Sequence, residues 1–283
     1  MKNRQLMKLA FIAILTGIIL QSCKKEELLI PESNSQATFG VRPDFATLDN
    51  RPAEVIAQFQ VTEKDATPVK LIESSEKGAK YALVIGISNY SGTANDLQYC
   101  DDDAIDWKAR LVKEGYTVTS LIDLAATKTA IQNALATLAS KAIAGNEITF
   151  IYSGHGSSGN IISTDLYYIS SSYFKTTFSA AASTKMFFSF DACQIGAMAT
   201  SLTKTGRIIA VASNTTIYSY DGDATMKNGV FTYYQMKGFD SMGYTYVEND
   251  CSYACTQMKS WASSNGVSVA PSYKDSYTGS FDL

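Results

Sequence analysis

The chain has 283 residues, 46% of them apolar and 11% aromatic, and a formal charge of −3. That is enough for one large domain with a core, plus some chain to spare. A mildly acidic sequence with no basic run argues against nucleic acid or an anionic membrane surface as partner.

The N-terminus comes first. Lys2, Arg4 and Lys8 precede an apolar run from Leu9 to Leu20, which ends in Leu20-Gln21-Ser22-Cys23. The run is too short to span a bilayer comfortably and fits the core of a signal peptide. Its ending resembles a bacterial lipobox, which makes residues 1–22 a lipoprotein signal peptide and Cys23 the lipidated N-terminus. Lys24-Lys25-Glu26-Glu27 then reads as a charged tether. The expected location is the cell envelope, lipid-anchored at the outer membrane and surface-exposed. Residues 23–78, with Pro31, Pro43, Pro52 and Pro68, read as tether followed by an N-terminal pro-segment or strap. Only Ala53 to Val61 carries a short apolar pattern there. Lys70, Lys77 and Lys80 are positions where self-cleavage after a basic residue would release the segment.

From Lys80 onward strands and helices alternate. Tyr81–Ile87 (YALVIGI) is a near-continuous apolar run, the mark of a strand covered on both faces. Asp101 or Asp102 can cap a helix running to Gly115, with Ile105, Ala109 and Val112 on one face. Tyr116–Ile122 is a second strand. Thr127 caps a helix whose Ile131, Leu135, Leu138 and Ala142 form a stripe, closed by Gly145. Ile148–Ser153 is a third strand, and a helix near Ser172–Ala182 leads to a fourth at Met186–Phe190. Ile208–Ala212 is a fifth, and Gly229–Phe239 and Val247–Ala262 have helical patterns. Cys251 and Cys255 share the helical stripe of Val247, Met258 and Ala262, so they read as buried residues. One His and no Cys-x-x-Cys pair make structural zinc unexpected. The alternation predicts an α/β three-layer sandwich, a mainly parallel sheet flanked by helices. In such a fold, chemistry gathers beyond the carboxyl ends of the strands.

Two strand ends carry candidate chemistry. The third strand ends Tyr152-Ser153-Gly154-His155-Gly156, and the fourth ends Phe190-Asp191-Ala192-Cys193. Parallel strands put both ends on one edge of the sheet, where an imidazole and a thiol can meet. His155 is the only histidine, so it must be the partner if Cys193 is a nucleophile. The Gly156 and Cys193 amides would then bind the oxyanion of a tetrahedral intermediate. Gly154-His155-Gly156-Ser157-Ser158-Gly159 fits a dinucleotide pattern, but a β-like stretch follows it where a helix should start, so no nucleotide is expected.

Five segments in order resemble the caspase/metacaspase family: Tyr81–Tyr90, Leu97–Ala104, Tyr152–Gly156, Asp191–Cys193 and Gly229–Tyr233. Asp191-Ala192-Cys193 is also similar to the ending in clostripain-like peptidases of the same clan. The resemblance covers residues 79–283 and implies a caspase-like sheet and a cysteine endopeptidase acting through an acyl-enzyme. Thr200 stands at one position where metacaspases carry a calcium-binding Asp, so no cofactor or metal is expected. Peptidases that cut after Asp hold that carboxylate with Arg, one of them near the end of the first strand, where this chain reads Gly86–Tyr90 without Arg. The resemblance instead puts Asp191, Asp103 and Ser153 in the pocket for the residue preceding the cut bond, which favours Arg or Lys there. The partner expected is a peptide or protein substrate. A catalytically silent binding lipoprotein and a transpeptidase are the alternatives.

Overall fold

The computed structural model describes residues 38–72 and 78–283. The signal peptide, Cys23, the charged tether and Lys77 lie outside the described residues. In chain order the described elements open with β1 (Gly40–Arg42), helices α1 (Phe45–Leu48) and α2 (Ala53–Ile56), and β2 (Gln60–Val61). Next come β3 (Lys80–Gly86), α3 (Cys100–Lys113), β4 (Thr117–Ile122), α4 (Lys128–Ser140) and β5 (Glu147–Ser153). A small hairpin region follows, β6 (Gly156–Ser157), β7 (Asn160–Ile162) and β8 (Tyr168–Ser170), then α5 (Ser171–Thr177), β9 (Lys185–Asp191) and α6 (Gly196–Leu202). The last elements are β10 (Arg207–Val211), β11 (Ser219–Asp221), α7 (Val230–Asp240), α8 (Val247–Asn265) and β12 (Ser272–Asp275).

The main sheet has six strands in the order β12-β10-β9-β5-β3-β4. All its pairings are parallel except that of β12 with β10. Its central strands are apolar on both faces because both faces are covered. Leu83, Ile85, Phe150, Phe188 and Phe190 pack against α4, α5 and α6 on one side. Ala82, Val84, Ile151, Phe187 and Ala210 pack against α3, α7 and α8 on the other. The three-layer sandwich read from the sequence is the fold. Cys100, Cys193, Cys251 and Cys255 are free and buried.

Local differences have physical causes. α3 forms where expected, but Ile105 and Val112 are about half exposed, at 50% and 56%. The face it buries is Cys100, Asp103, Ala104, Trp107 and Leu111. Its capping residue is Tyr99, with no side-chain cap, so the acids of the first turn do not start it. Gly86 accounts for the rotation: a Cβ there would run into the carbonyl of Cys100. The close approach seats the start of α3 on the tip of β3 and turns Asp103 inward. α5 stops at Thr177, earlier than its pattern suggested. After Gly159 the chain forms β7 rather than a helix, so the glycine pattern has no helix N-terminus to hold a phosphate. Lys80 is the first residue of β3 and pairs with Glu147 in the sheet, which removes it as a site for clipping a loose segment.

The N-terminal segment is less irregular than its prolines suggested. β2 pairs with β8 in parallel, and β1 pairs antiparallel with β11, Gly40 opposite Asp221 and Arg42 opposite Ser219. These contacts lay the chain across the carboxyl edge of the main sheet.

Candidate active site

Ser153 ends β5 and stands directly opposite Asp191 at the end of β9, and Gly86 at the end of β3 stands opposite Ser153. Three neighbouring tips therefore meet at one edge. The loops that leave β5 and β9 stay in contact, since the Gly154 amide donates to the Asp191 carbonyl at 3.2 Å. A Cβ on Gly156 would collide with the Cys193 carbonyl, so only glycine permits this approach. Gln194, the residue after Cys193, sits at φ 48°. A left-handed conformation in a non-glycine residue costs about 1–3 kcal/mol and is often kept where it aims a functional group. Here it turns the chain sharply and leaves the Cys193 side chain at the strand tip.

Both candidate reacting groups are buried, His155 at 1% exposure and Cys193 at 0%. The imidazole Nε2 lies 2.8 Å from the carbonyl oxygen of Asn95. A carbonyl only accepts, so Nε2 carries the proton and Nδ1 is left with its lone pair. Nδ1 makes no hydrogen bond of good geometry, although the Pro43 carbonyl lies close enough to raise the His155 pKa slightly. The His155 amide donates to the Tyr90 hydroxyl at 2.8 Å, and the two rings meet at a tilt of 53° with centroids 4.8 Å apart. Burial lowers the His155 pKa to about 4, against a partial rise from the Asn95 carbonyl. Burial raises the Cys193 pKa to about 12. Both groups are thus neutral as they stand. The thiol donates to the carbonyl oxygen of Arg42 at 2.5 Å and receives the Ser219 amide at 3.0 Å.

Asp191, Asp103 and Ser153 do come together, and they enclose a guanidinium. Arg42 from β1 is wholly buried among them. Its Nη1 lies 3.0 Å from Asp191 and 3.1 Å from the Ser153 hydroxyl, and its Nη2 lies 3.2 Å from Asp103. A third carboxylate, Asp221, accepts from Nε at 2.8 Å. Each acid is itself held. Asp191 accepts from the Ser219 hydroxyl at 2.6 Å and from the Thr232 amide and hydroxyl, both at 3.1 Å. Asp103 accepts from the Gly229 amide at 2.9 Å. A Cβ at Gly229 would strike both the guanidinium and the Asp191 carboxylate, so glycine keeps the pocket open. Burial, with Asp191 and Asp221 nearby, raises Asp103 to about 7 against the pull of Arg42. Three acids around one cation leave surplus negative charge in a dry site, which fits a pocket built for a base.

The sequence did not point to Asp221, Asn95, Tyr90 or Arg42. Asp221 lies on a three-residue strand whose pairing is not periodic enough to read. Asn95 contributes its backbone, to which residue type is no guide.

The six-stranded, mostly parallel sheet with helices on both faces is a three-layer α/β architecture, and His155 and Cys193 follow the tips of two of its adjacent strands. A family model for the caspase domain matches residues 79–267, more than half of the chain, and the protein belongs to that family of peptidases. Among solved structures the chain is similar to a protein from Geobacter sulfurreducens, at 16% identity and a TM-score of 0.57. That alignment covers 71% of this chain and 94% of the other, and at this identity it speaks for the fold. No curated protein sequence matches.

Proposed function

We propose that the protein is a cysteine endopeptidase that cuts after Arg or Lys, with Cys193 as nucleophile and His155 as general base and acid. The observation that carries the reading is the joint position of one residue's two ends. The Arg42 side chain fills a pocket of three buried carboxylates while its carbonyl oxygen touches the Cys193 thiol. A substrate bound the same way would offer its scissile carbonyl to the sulfur with an Arg or Lys side chain in the acids.

The chemistry follows from the groups present. His155, its Nε2 proton fixed on Asn95, takes the thiol proton at Nδ1. The sulfur adds to the carbonyl carbon, and the Gly156 and Cys193 amides take up the oxyanion charge. His155 then hands the proton to the departing amine, and water hydrolyses the thioester. A bidentate guanidinium suits a carboxylate cluster better than an ammonium, so Arg is preferred over Lys. An acidic residue entering this pocket would meet like charge without water, a loss of several kcal/mol.

Fluorogenic peptides differing only in the residue before the cut (Arg, Lys, Asp, Leu) test the proposal. They are assayed on the full chain and on Arg42→Ala, which empties the pocket, with Cys193→Ala as control. Cysteine-dependent cleavage after Arg and Lys is expected, and cleavage after Asp or Leu in preference would overturn the specificity.

A further inference from the structure

The same pocket raises a question of regulation, because the protein's own chain occupies it. We infer that residues Gly40–Arg42 are a built-in inhibitor, laid through the cleft in a substrate's direction and spared from cleavage because residue 43 is proline. The inference rests on the peptidase reading above and adds to it how the site is kept silent and which bond it refuses.

The strap is held on both sides of the reacting groups. Before Arg42, the strand pairing places Gly40 and Val41 against Asp221 and Tyr220. Val41 points outward at 52% exposure, so the side chain of Arg42 does most of the gripping on this side. After Pro43, Asp44 caps α1 by accepting from the Ala46 amide. Phe45 is wholly buried, its ring 5.3 Å from that of His155 and 5.4 Å from that of Tyr168. Further on, Asp49 binds Arg51 and the Tyr168 hydroxyl, and Arg51 donates to the Leu166 carbonyl at 2.9 Å. The chain thus crosses the candidate dyad held by contacts on both sides of it.

A peptide seated like this should be cut, and the residue at position 43 explains why it can persist. In an ordinary peptide the leaving nitrogen carries one hydrogen and one carbon chain beyond the carbonyl. In proline that hydrogen is replaced by Cδ of the ring, which stands on the nitrogen that His155 must protonate. The ring also restricts the backbone of Arg42 and resists the pyramidal geometry of the departing amine. A tethered ligand meets its site at an effective concentration in the millimolar range, at or above the ~1 μM–1 mM KM values usual for enzymes.

Pro43→Ala in the full chain is the direct test, since it leaves the guanidinium cluster intact. The Cys193 sulfur would then bond the Arg42 carbonyl carbon, and the bond to the nitrogen of residue 43 would break as His155 delivers the thiol's proton to it. Water would release the Arg42 carboxylate. Intact mass and N-terminal sequencing should find cleavage between positions 42 and 43, absent from the parent chain and from Pro43→Ala/Cys193→Ala. In parallel, Arg42→Ala should hydrolyse an Arg peptide at least about tenfold faster than the parent, the gain from releasing a site closed nine parts in ten. A second peptide with Arg–Pro at the cut bond should resist this variant. An uncut Pro43→Ala chain, or a parent chain cut after Arg42, overturns the inference, and an active Arg42→Ala variant would leave the peptidase reading standing. If Arg42→Ala, folded by circular dichroism, hydrolyses no peptide and Pro43→Ala stays whole, both readings fall.

Discussion

The Cys193 thiol meets the carbonyl oxygen of Arg42 at 2.5 Å although 151 residues separate them. The contact joins an N-terminal strand to the loop after β9 and puts a peptide group against the candidate nucleophile. In the Arg42→Ala background, Cys193→Ala and His155→Ala should each lower hydrolysis of Arg peptides by about 10³-fold or more. Thermal unfolding should change little for Cys193→Ala. Activity within tenfold of the background in either variant would remove the dyad.

The acids should separate by charge. Asp191→Asn in the Arg42→Ala background keeps the shape of the pocket and removes one charge, so kcat/KM for Arg peptides should fall about 100-fold. Peptides with a neutral residue before the cut, slow to begin with, should be little affected. In the full chain the same substitution weakens the charge-assisted hydrogen bonds around Arg42, which Asp103 and Asp221 still neutralise, and about 1–3 kcal/mol of stability should go with it. Denaturant unfolding of the two chains checks this, and equal midpoints would place Arg42 outside the cluster's energetics.

His155 makes stability depend on acid. Its pKa is lowered to about 4 in the folded chain, against an ordinary value near 6.5. The unfolded chain therefore binds the extra proton first, and stability is lost as pH falls from about 6.5 to 4, by about 3 kcal/mol in all. Asp103, raised from about 3.8 to about 7, works the other way across that whole window. Comparison of the parent with His155→Gln cancels the Asp103 contribution. The difference in unfolding free energy should move toward His155→Gln as the pH drops, and a pH-independent difference would contradict the buried neutral imidazole.

The fold was legible wherever burial was uniform. The central strands announce themselves because covered strands need apolar residues on both faces, and α4 and α8 because their stripes are clean. α3 was turned to the wrong face because its buried side includes Asp103, a charge whose partner comes from another part of the chain. The candidate reacting pair, and two of the three acids that meet around Arg42, lie at positions that strand ends and family resemblance singled out. Arg42 could not, since a single arginine between Val41 and Pro43 reads as surface until the distant carboxylates around it are known.

The anchor rests on the sequence alone. We propose acylation at Cys23 and an envelope location from the lipobox that abuts the Leu9–Leu20 run. Mass spectrometry of the membrane fraction should find a chain beginning at a lipid-modified Cys23, and an unmodified Cys23 would refute the anchor.

In the proposed reading Cys193 is a nucleophile served by a pocket for a basic side chain. Covalent labelling tests it most directly, by incubating the Arg42→Ala chain with matched peptidyl chloromethyl ketones that end in Arg or in Asp, then mapping the modified peptide. One adduct on Cys193 with the Arg reagent, none with the Asp reagent and none on Cys193→Ala is expected. Equal labelling by both reagents, or modification of Cys100, Cys251 or Cys255 with Cys193 untouched, would contradict it.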